Sequence, residues 1–305
     1  MDFSTNYTVR TDMADEILQG LYGKDGIYDD GIYVRNENFG KISVERTQLN
    51  KSIEYGGCKK EKGRYATVTA EDIRMFTRQE FETAADIIAD EIRTMLPEGH
   101  WIAVCLGNRN LVADAVGPLA SVRIIVSRHI KKHNRNLFES MEFGECACMV
   151  PGVLGETGIE AAELIKSAVQ AIKPSGLVVI DALACARMSR LMKTVQICDT
   201  GISPGSGVNN SRAEISKNTM GVPVVAVGVP TVVDVATICR DFSHGIGNCD
   251  TPLNFKDTQK DASDFFVTVK DADSYVKTMA KLIGFSFNKA IHKNMSFEEM
   301  EEFLS

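Results

Sequence analysis

The chain of 305 residues has no apolar run approaching the roughly 20 residues that a membrane-spanning helix needs. Its opening stretch, MDFSTNYTVRTDMADEILQG, lacks both the basic start and the apolar core of a secretory signal, so a cytoplasmic protein without a membrane partner is expected. None of the eight cysteines forms a CxxC pair, and without an export signal they read as reduced thiols. Cys146 and Cys148 alternate as strand neighbours do, which is a poor start for a zinc site. GxxxxGK[ST] is missing, and no GxGxxG joins a strand to its helix with an acidic residue at the proper distance, so neither usual nucleotide site is present. Positive charge is also in deficit. A net charge of −7 argues against direct binding of nucleic acid, whose phosphates would repel the chain.

The composition that remains, 44% hydrophobic and 25% charged, is that of an ordinary folded protein with one large core or two modest ones. Over 31–75, GIYVRNENFGKISVERTQL and GRYATVTA alternate apolar and polar residues around glycine and asparagine turns, the pattern of β-hairpins. From 79 the period changes, and Phe81, Ala84, Ile87, Ile88, Ile92 and Leu96 fall on one face of a helix. Strand and helix patterns then alternate: WIAVCLG before a helix near 115–132, ACMV before TGIEAAELIKSAVQAIK, GLVVID before a shorter helix, TVQIC, and VPVVAVGV before VVDVATICRD. This alternation predicts an α/β fold, a largely parallel twisted sheet with helices on both faces, here with an N-terminal β-hairpin extension. Two further helical patterns, DSYVKTMAKLIG and SFEEMEEFL, follow a polar stretch at 243–264.

Val178, Val179 and Ile180 are consecutive apolar residues, as in a central strand covered on both faces, and Asp181 follows them. Loops diverge at the carboxyl ends of such strands, and catalytic groups gather there. Asp114 holds the corresponding place after WIAVCLG, at the start of a helix. Two carboxylates at one sheet edge can share a proton, one acting as base on a water and the other as acid toward a carbonyl. The same residues also fit as helix N-caps, or as half of a metal site with His129 or Asp199 as third ligand. The glycine loops PGVLGETG (151–158) and DTGISPGSGVNN (199–210) read as tight turns in preference to phosphate cradles. Ser206 lacks the first glycine of a GxSxG elbow, and Cys105, Cys185 and Cys198 sit in apolar or strand-like settings unsuited to a reactive thiol. His129, in SRHIKKH, reads as part of a solvated helix end.

One set of blocks is far more specific. YTVRTDMADE, GRYATV, CLGNRNLVADAVGP, VPGVLGETGIE, VVIDALACA, ICDTGISPGSGVNNSRAEIS and MGVPVVAVGVPTVVD, in that order, cover more than half the chain. In them the sequence resembles the germination proteases of spore-forming bacteria, endopeptidases that degrade small acid-soluble spore proteins. The resemblance implies an atypical aspartic endopeptidase with a fold similar to the hydrogenase maturation proteases, needing no cofactor or metal. Its catalytic aspartates fall on Asp114, in ADAVGP, and Asp181, in IDALA. Backbone N–H groups near Gly152, Gly155, Gly158, Gly201, Gly205 and Gly207 are candidate oxyanion donors.

The resemblance further implies a homotetramer in the spore core, made as a zymogen that removes its own pro-segment. Cleavage after glutamate and before an apolar residue puts that cut at Glu16–Ile17 in DEILQG. The chain then divides into a pro-segment (1–16), an arm with hairpins and a helix (17–97), a catalytic core (98–242) and a C-terminal helical extension (243–305), together one compact domain. Val112 and Ala113 stand where Thr-Pro is common in the family, and Arg109 where an aromatic residue is frequent. Three other readings remain: a metal-dependent peptidase using the same carboxylates, a non-catalytic binder of spore proteins, and a nucleoside- or phosphate-binding enzyme.

Overall fold

A computed structural model describes residues 10–23, 27–206, 212–235, 237–238 and 265–305. Its main sheet runs β1 (Ile32–Phe39), β2 (Ile42–Leu49), β5 (Gly63–Ala70), β9 (Thr194–Cys198), β10 (Val224–Asp234), β8 (Gly176–Cys185), β6 (Trp101–Cys105) and β7 (Cys146–Met149). A short β11 (Phe266–Val267) pairs with β10, and β3 (Ile53–Tyr55) with β4 (Cys58–Lys60) forms a separate hairpin. The strands β10, β8, β6 and β7 are parallel, as their mostly apolar sequences require of strands buried on both faces.

The helices are α1 (Ala14–Tyr22), α2 (Arg78–Met95), α3 (Val116–Ser121), α4 (Arg128–His133), α5 (Arg135–Ser140), α6 (Leu154–Thr157), α7 (Ala161–Ile172), α8 (Lys217–Met220), α9 (Ala272–Ile291) and α10 (Phe297–Phe303). They cover both faces. Val178 and Ile180 pack with Ile88 and Ile92 of α2 and Phe285 of α9, while Leu177 and Val179 pack with Ile165 and Val169 of α7. A third cluster seats Ala14, Ile17 and Leu18 of α1 on Leu49 and Tyr65. Among the described residues no helix is long and apolar enough to cross a membrane.

Three features differ from the sequence-based expectation. The hairpin region is no appendage: β5 pairs antiparallel with β9, which pairs antiparallel with β10, so β1, β2 and β5 continue the main sheet and make it mixed. The helix near 115–132 is broken between α3 and α4, because Asn288 from α9 takes over the backbone there. Its Oδ1 accepts from Ile125 N–H and its Nδ2 donates to Arg123 C=O, replacing the bonds a continuous helix would make. Finally, β8 runs four residues past Asp181 and no α-helix follows it. Parallel pairing with β10 extends to Cys185 opposite Val233, and only a 3-10 turn, Met188–Arg190, comes next.

Candidate active site

Asp181 lies inside β8, only 5% exposed, and its Oδ1 accepts from the adjacent Ala182 N–H at 2.9 Å. The strand continues through it, so it caps no helix. Asp114 ends a 3-10 turn, Val112–Asp114, just before α3, whose N-cap is Ala115. Its carboxylate turns back to accept from Asn108 N–H at 2.9 Å and so closes the loop after β6. That loop depends on Gly107. With φ at +113°, a Cβ there would lie 2.0 Å from the Asp114 carbonyl oxygen. Gly117 performs a similar service, since its Cβ would meet Leu106 O at 2.1 Å and Ile180 O at 2.8 Å, so α3 is free to press on the ends of β6 and β8.

The two aspartates line one cavity of about 600 Å³ at the carboxyl ends of the parallel strands. Burial raises the Asp181 carboxyl well above its ordinary range, and the charges of Asp114 and Asp12 add to the effect while the Ala182 N–H opposes it. Burial also raises Asp114, against the Asn108 N–H. One neutral and one ionised carboxyl in a shared cleft is the arrangement that divides acid and base roles. Of the glycines singled out in the sequence, Gly152 and Gly205 line this cavity, whereas Gly155 and Gly158 do not. Gly201 lines a neighbouring cavity of about 300 Å³, and Gly207 lies outside the described residues.

The N-terminal segment runs between these cavities. Asp12 lines both, donates its N–H to Ala184 C=O at 2.9 Å, and accepts at its carboxylate from Ala184 N–H and Ser206 Oγ. Met13 is fully buried against Leu183, Cys185, Leu191 and Val233. Glu16 and Ile17 are also buried, but within α1, where the Glu16 carboxylate accepts from Thr11 Oγ1 and Ala186 N–H. The structure thus brings Asp12 into the lining of the aspartates' cavity, with Met13 packed beside it, and leaves Glu16–Ile17 inside a helix. Neither Asp12 nor Gln196, which holds this segment, stands out in the sequence. The available signal was that Asp12–Met13 has the same acidic-then-apolar order as Glu16–Ile17.

Neither residue weighed as a third metal ligand joins the pair. Asp199 is bound by Arg64 through its backbone N–H and Nε, and His129 is exposed on α4. Among the described residues no three His, Cys, Asp or Glu side chains are grouped to hold a metal ion.

A family model described as germination protease matches residues 17–246. The chain belongs to the germination protease family. The germination protease of Clostridium acetobutylicum is 32% identical over 326 residues, spanning 98% of this chain and 99% of its own. That of Clostridium perfringens is 34% identical over 331 residues, spanning 98% and 100%. The germination protease of Bacillus subtilis is 37% identical over 246 residues, 77% of this chain and 66% of its own. Membership of the germination protease family makes this chain a peptidase, and so a hydrolase.

Proposed function

We propose that this germination protease is an aspartic-type endopeptidase that starts the breakdown of small acid-soluble spore proteins, with Asp114 and Asp181 activating one water. The observation that carries this reading is a cleft holding one buried and one half-buried carboxyl, both raised, beside an extended segment of the chain itself. Asp181 is the more deeply buried and feels the Asp114 charge, so it holds the proton; Asp114 is the base. Asp114 takes a proton from water as the oxygen attacks the peptide carbonyl, and Asp181 supplies the proton that the leaving amine needs. Rate then falls at low pH as Asp114 protonates and at high pH as Asp181 ionises.

The N-terminal segment acts as a pro-segment that occupies the cleft until it is cut. A cut at Glu16–Ile17 would first require α1 to unwind and its buried residues to leave the core. Asp12–Met13 lies ahead of α1, has Asp12 in the lining of the cleft and Met13 in the apolar cluster beside it, and keeps the acidic-then-apolar order. We therefore assign self-cleavage to Asp12–Met13. Assembly as a homotetramer and residence in the spore core belong to the same family reading; sedimentation equilibrium tests the first.

The test incubates the full chain with a small acid-soluble spore protein and maps products by mass spectrometry. Cuts after acidic and before apolar residues support the proposal. Binding without cleavage under every condition that releases residues 1–12 would instead leave a spore-protein binder.

A further inference from the structure

One polar side chain beside the cleft, in the neighbouring cavity that Asp12 also lines, has no part in the chemistry above. Gln196 sits in the middle of β9, 5% exposed, on a strand buried throughout. An amide in such a place is costly unless both of its ends are paired. Both are. Nε2 donates to the Asp12 carbonyl oxygen at 2.7 Å, and Oε1 accepts from Ala14 N–H at 2.6 Å. The orientation of the amide is chemically determined, since a carbonyl can only accept and an N–H can only donate.

The sheet register explains why this residue lies beside the aspartate cavity. Gly228 of β10 is paired with Asp181 on one side and with Gln196 on the other, so the three form one row across three strands. Neighbours in a row project from the same face. The middle residue is a glycine whose Cβ would lie 2.4 Å from Leu183, so Leu183 occupies the space between the two polar side chains. Leu183 also belongs to the apolar cluster that receives Met13.

The carbonyl that Gln196 grips belongs to the Asp12–Met13 peptide bond. With Asp12 on the β8 edge and Met13 in an apolar socket, the segment is held on both sides of that bond. We propose that Gln196 is a catalytic residue: its Nε2–H is the donor to the carbonyl oxygen of the bond being cut, and its Oε1 aligns the chain two residues onward. This rests on the reading of the cleft as a peptidase site with Asp12–Met13 as its first substrate. As water attacks the carbonyl carbon, a C–O bond forms, its proton passes to Asp114, and the carbonyl electron pair moves to the oxygen held by Nε2. Collapse restores C=O, breaks the C–N bond, and releases the Met13 amine with the proton from Asp181. A neutral donor suits this place, because a lysine or arginine would pair with the three carboxylates of the cleft instead of serving the carbonyl.

The experiment follows first-order self-cleavage of the full chain by intact mass over a pH series, for wild type, Gln196→Leu, Gln196→Glu and Asp181→Asn. Gln196→Leu loses the donor and is expected to cut about 10²–10³-fold more slowly. Gln196→Glu keeps the acceptor for Ala14 N–H. When ionised it should be as slow, but at low pH its protonated carboxyl regains an O–H donor, so its rate should rise toward wild type while Gln196→Leu stays slow. A role limited to holding the segment would instead show as loosened docking, so amide exchange at Met13 and Ala14 is read on the same variants: slow cleavage with unchanged protection marks the donor to the reacting carbonyl, and slowing that only tracks lost protection overturns the proposal. Gln196→Leu within threefold of wild type, equal slowing of both variants at every pH, or no wild-type cut at Asp12–Met13 each overturns the proposal. If Gln196→Leu does not fold, the pH profile of Gln196→Glu decides alone. Asp181→Asn reports separately: full activity there defeats the two-aspartate reading, while the Gln196 comparison still decides this one.

Discussion

Replacing Glu16 with glutamine should strengthen the docking of the N-terminal segment, and only above mildly acidic pH. Glu16 is 5% exposed and its Oε1 has no hydrogen-bond partner among the described residues, while its other oxygen accepts from Ala186 N–H and Thr11. Burial and the neighbouring Asp15 charge push its carboxyl from 4.5 to about 7, against the pull of Thr11, Ala186 and Arg190. A folded-state value raised this way means the folded protein binds the proton more tightly than the unfolded chain does. The resulting stability is complete below the unfolded value near 4.5 and is lost as pH climbs to about 7. Over that window the loss is about 3 kcal/mol. Glu16→Gln keeps an acceptor for Ala186 N–H but carries no charge, so it escapes the loss. At pH 8 the variant should gain about 3 kcal/mol over wild type, on the order of 5 °C in Tm for a chain of this size. At pH 4 the two should melt together. The assay is thermal unfolding at both pH values, paired with amide exchange over residues 10–22 to catch local opening. Comparing variant with wild type at each pH removes the background from Asp114 and Asp181, which are raised as well. An equal gain at both pH values, or none at pH 8, would refute the assignment of a buried, strained charge to Glu16.

Other outcomes follow from single contacts. Gly107→Ala places a Cβ against the Asp114 carbonyl at φ +113°, so it should cost on the order of 2 kcal/mol in urea unfolding and lower peptidase activity about 10²-fold. Asn288→Ala strands the buried Ile125 N–H and removes the bond to Arg123 C=O, and should destabilise by about 2 kcal/mol, measured the same way. Asp181→Asn should leave the chain at least as stable as wild type at pH 8, because it removes a carboxyl that burial and two neighbouring charges keep from ionising freely. A marked fall in its urea midpoint would contradict that description of the site.

The parts of this fold that local pattern determines were legible in the sequence. The apolar run before Asp181 announces a central parallel strand, and the spacing from Phe81 to Leu96 announces α2. The two aspartates could be named because each comes after such an apolar run, Asp114 in the loop beyond its strand and Asp181 within the same strand. What pattern cannot register is partnership across long separations. The antiparallel pairing of β5 with β9 joins residues over 120 positions apart, so GRYATVTA read only as a hairpin strand. Continuation of β8 beyond Asp181 depends on β10, and the break in the helix near 115–132 depends on Asn288, more than 160 residues later. Gln196 is ordinary in TVQIC; only the row through Gly228 puts it near Asp181. Asp12 gains its place from Ala184 and Ser206.

The central claim is that Asp114 and Asp181 together activate water for peptide hydrolysis. The most direct test compares wild type, Asp114→Asn and Asp181→Asn, each folded by circular dichroism, in cleaving a small acid-soluble spore protein with and without a strong chelator. Each asparagine removes one proton-transfer group at nearly unchanged volume. Loss of about 10³-fold or more in both variants, with wild-type cleavage untouched by chelator, is the predicted result. Full activity in either variant, or wild-type cleavage that disappears with chelator, would contradict it.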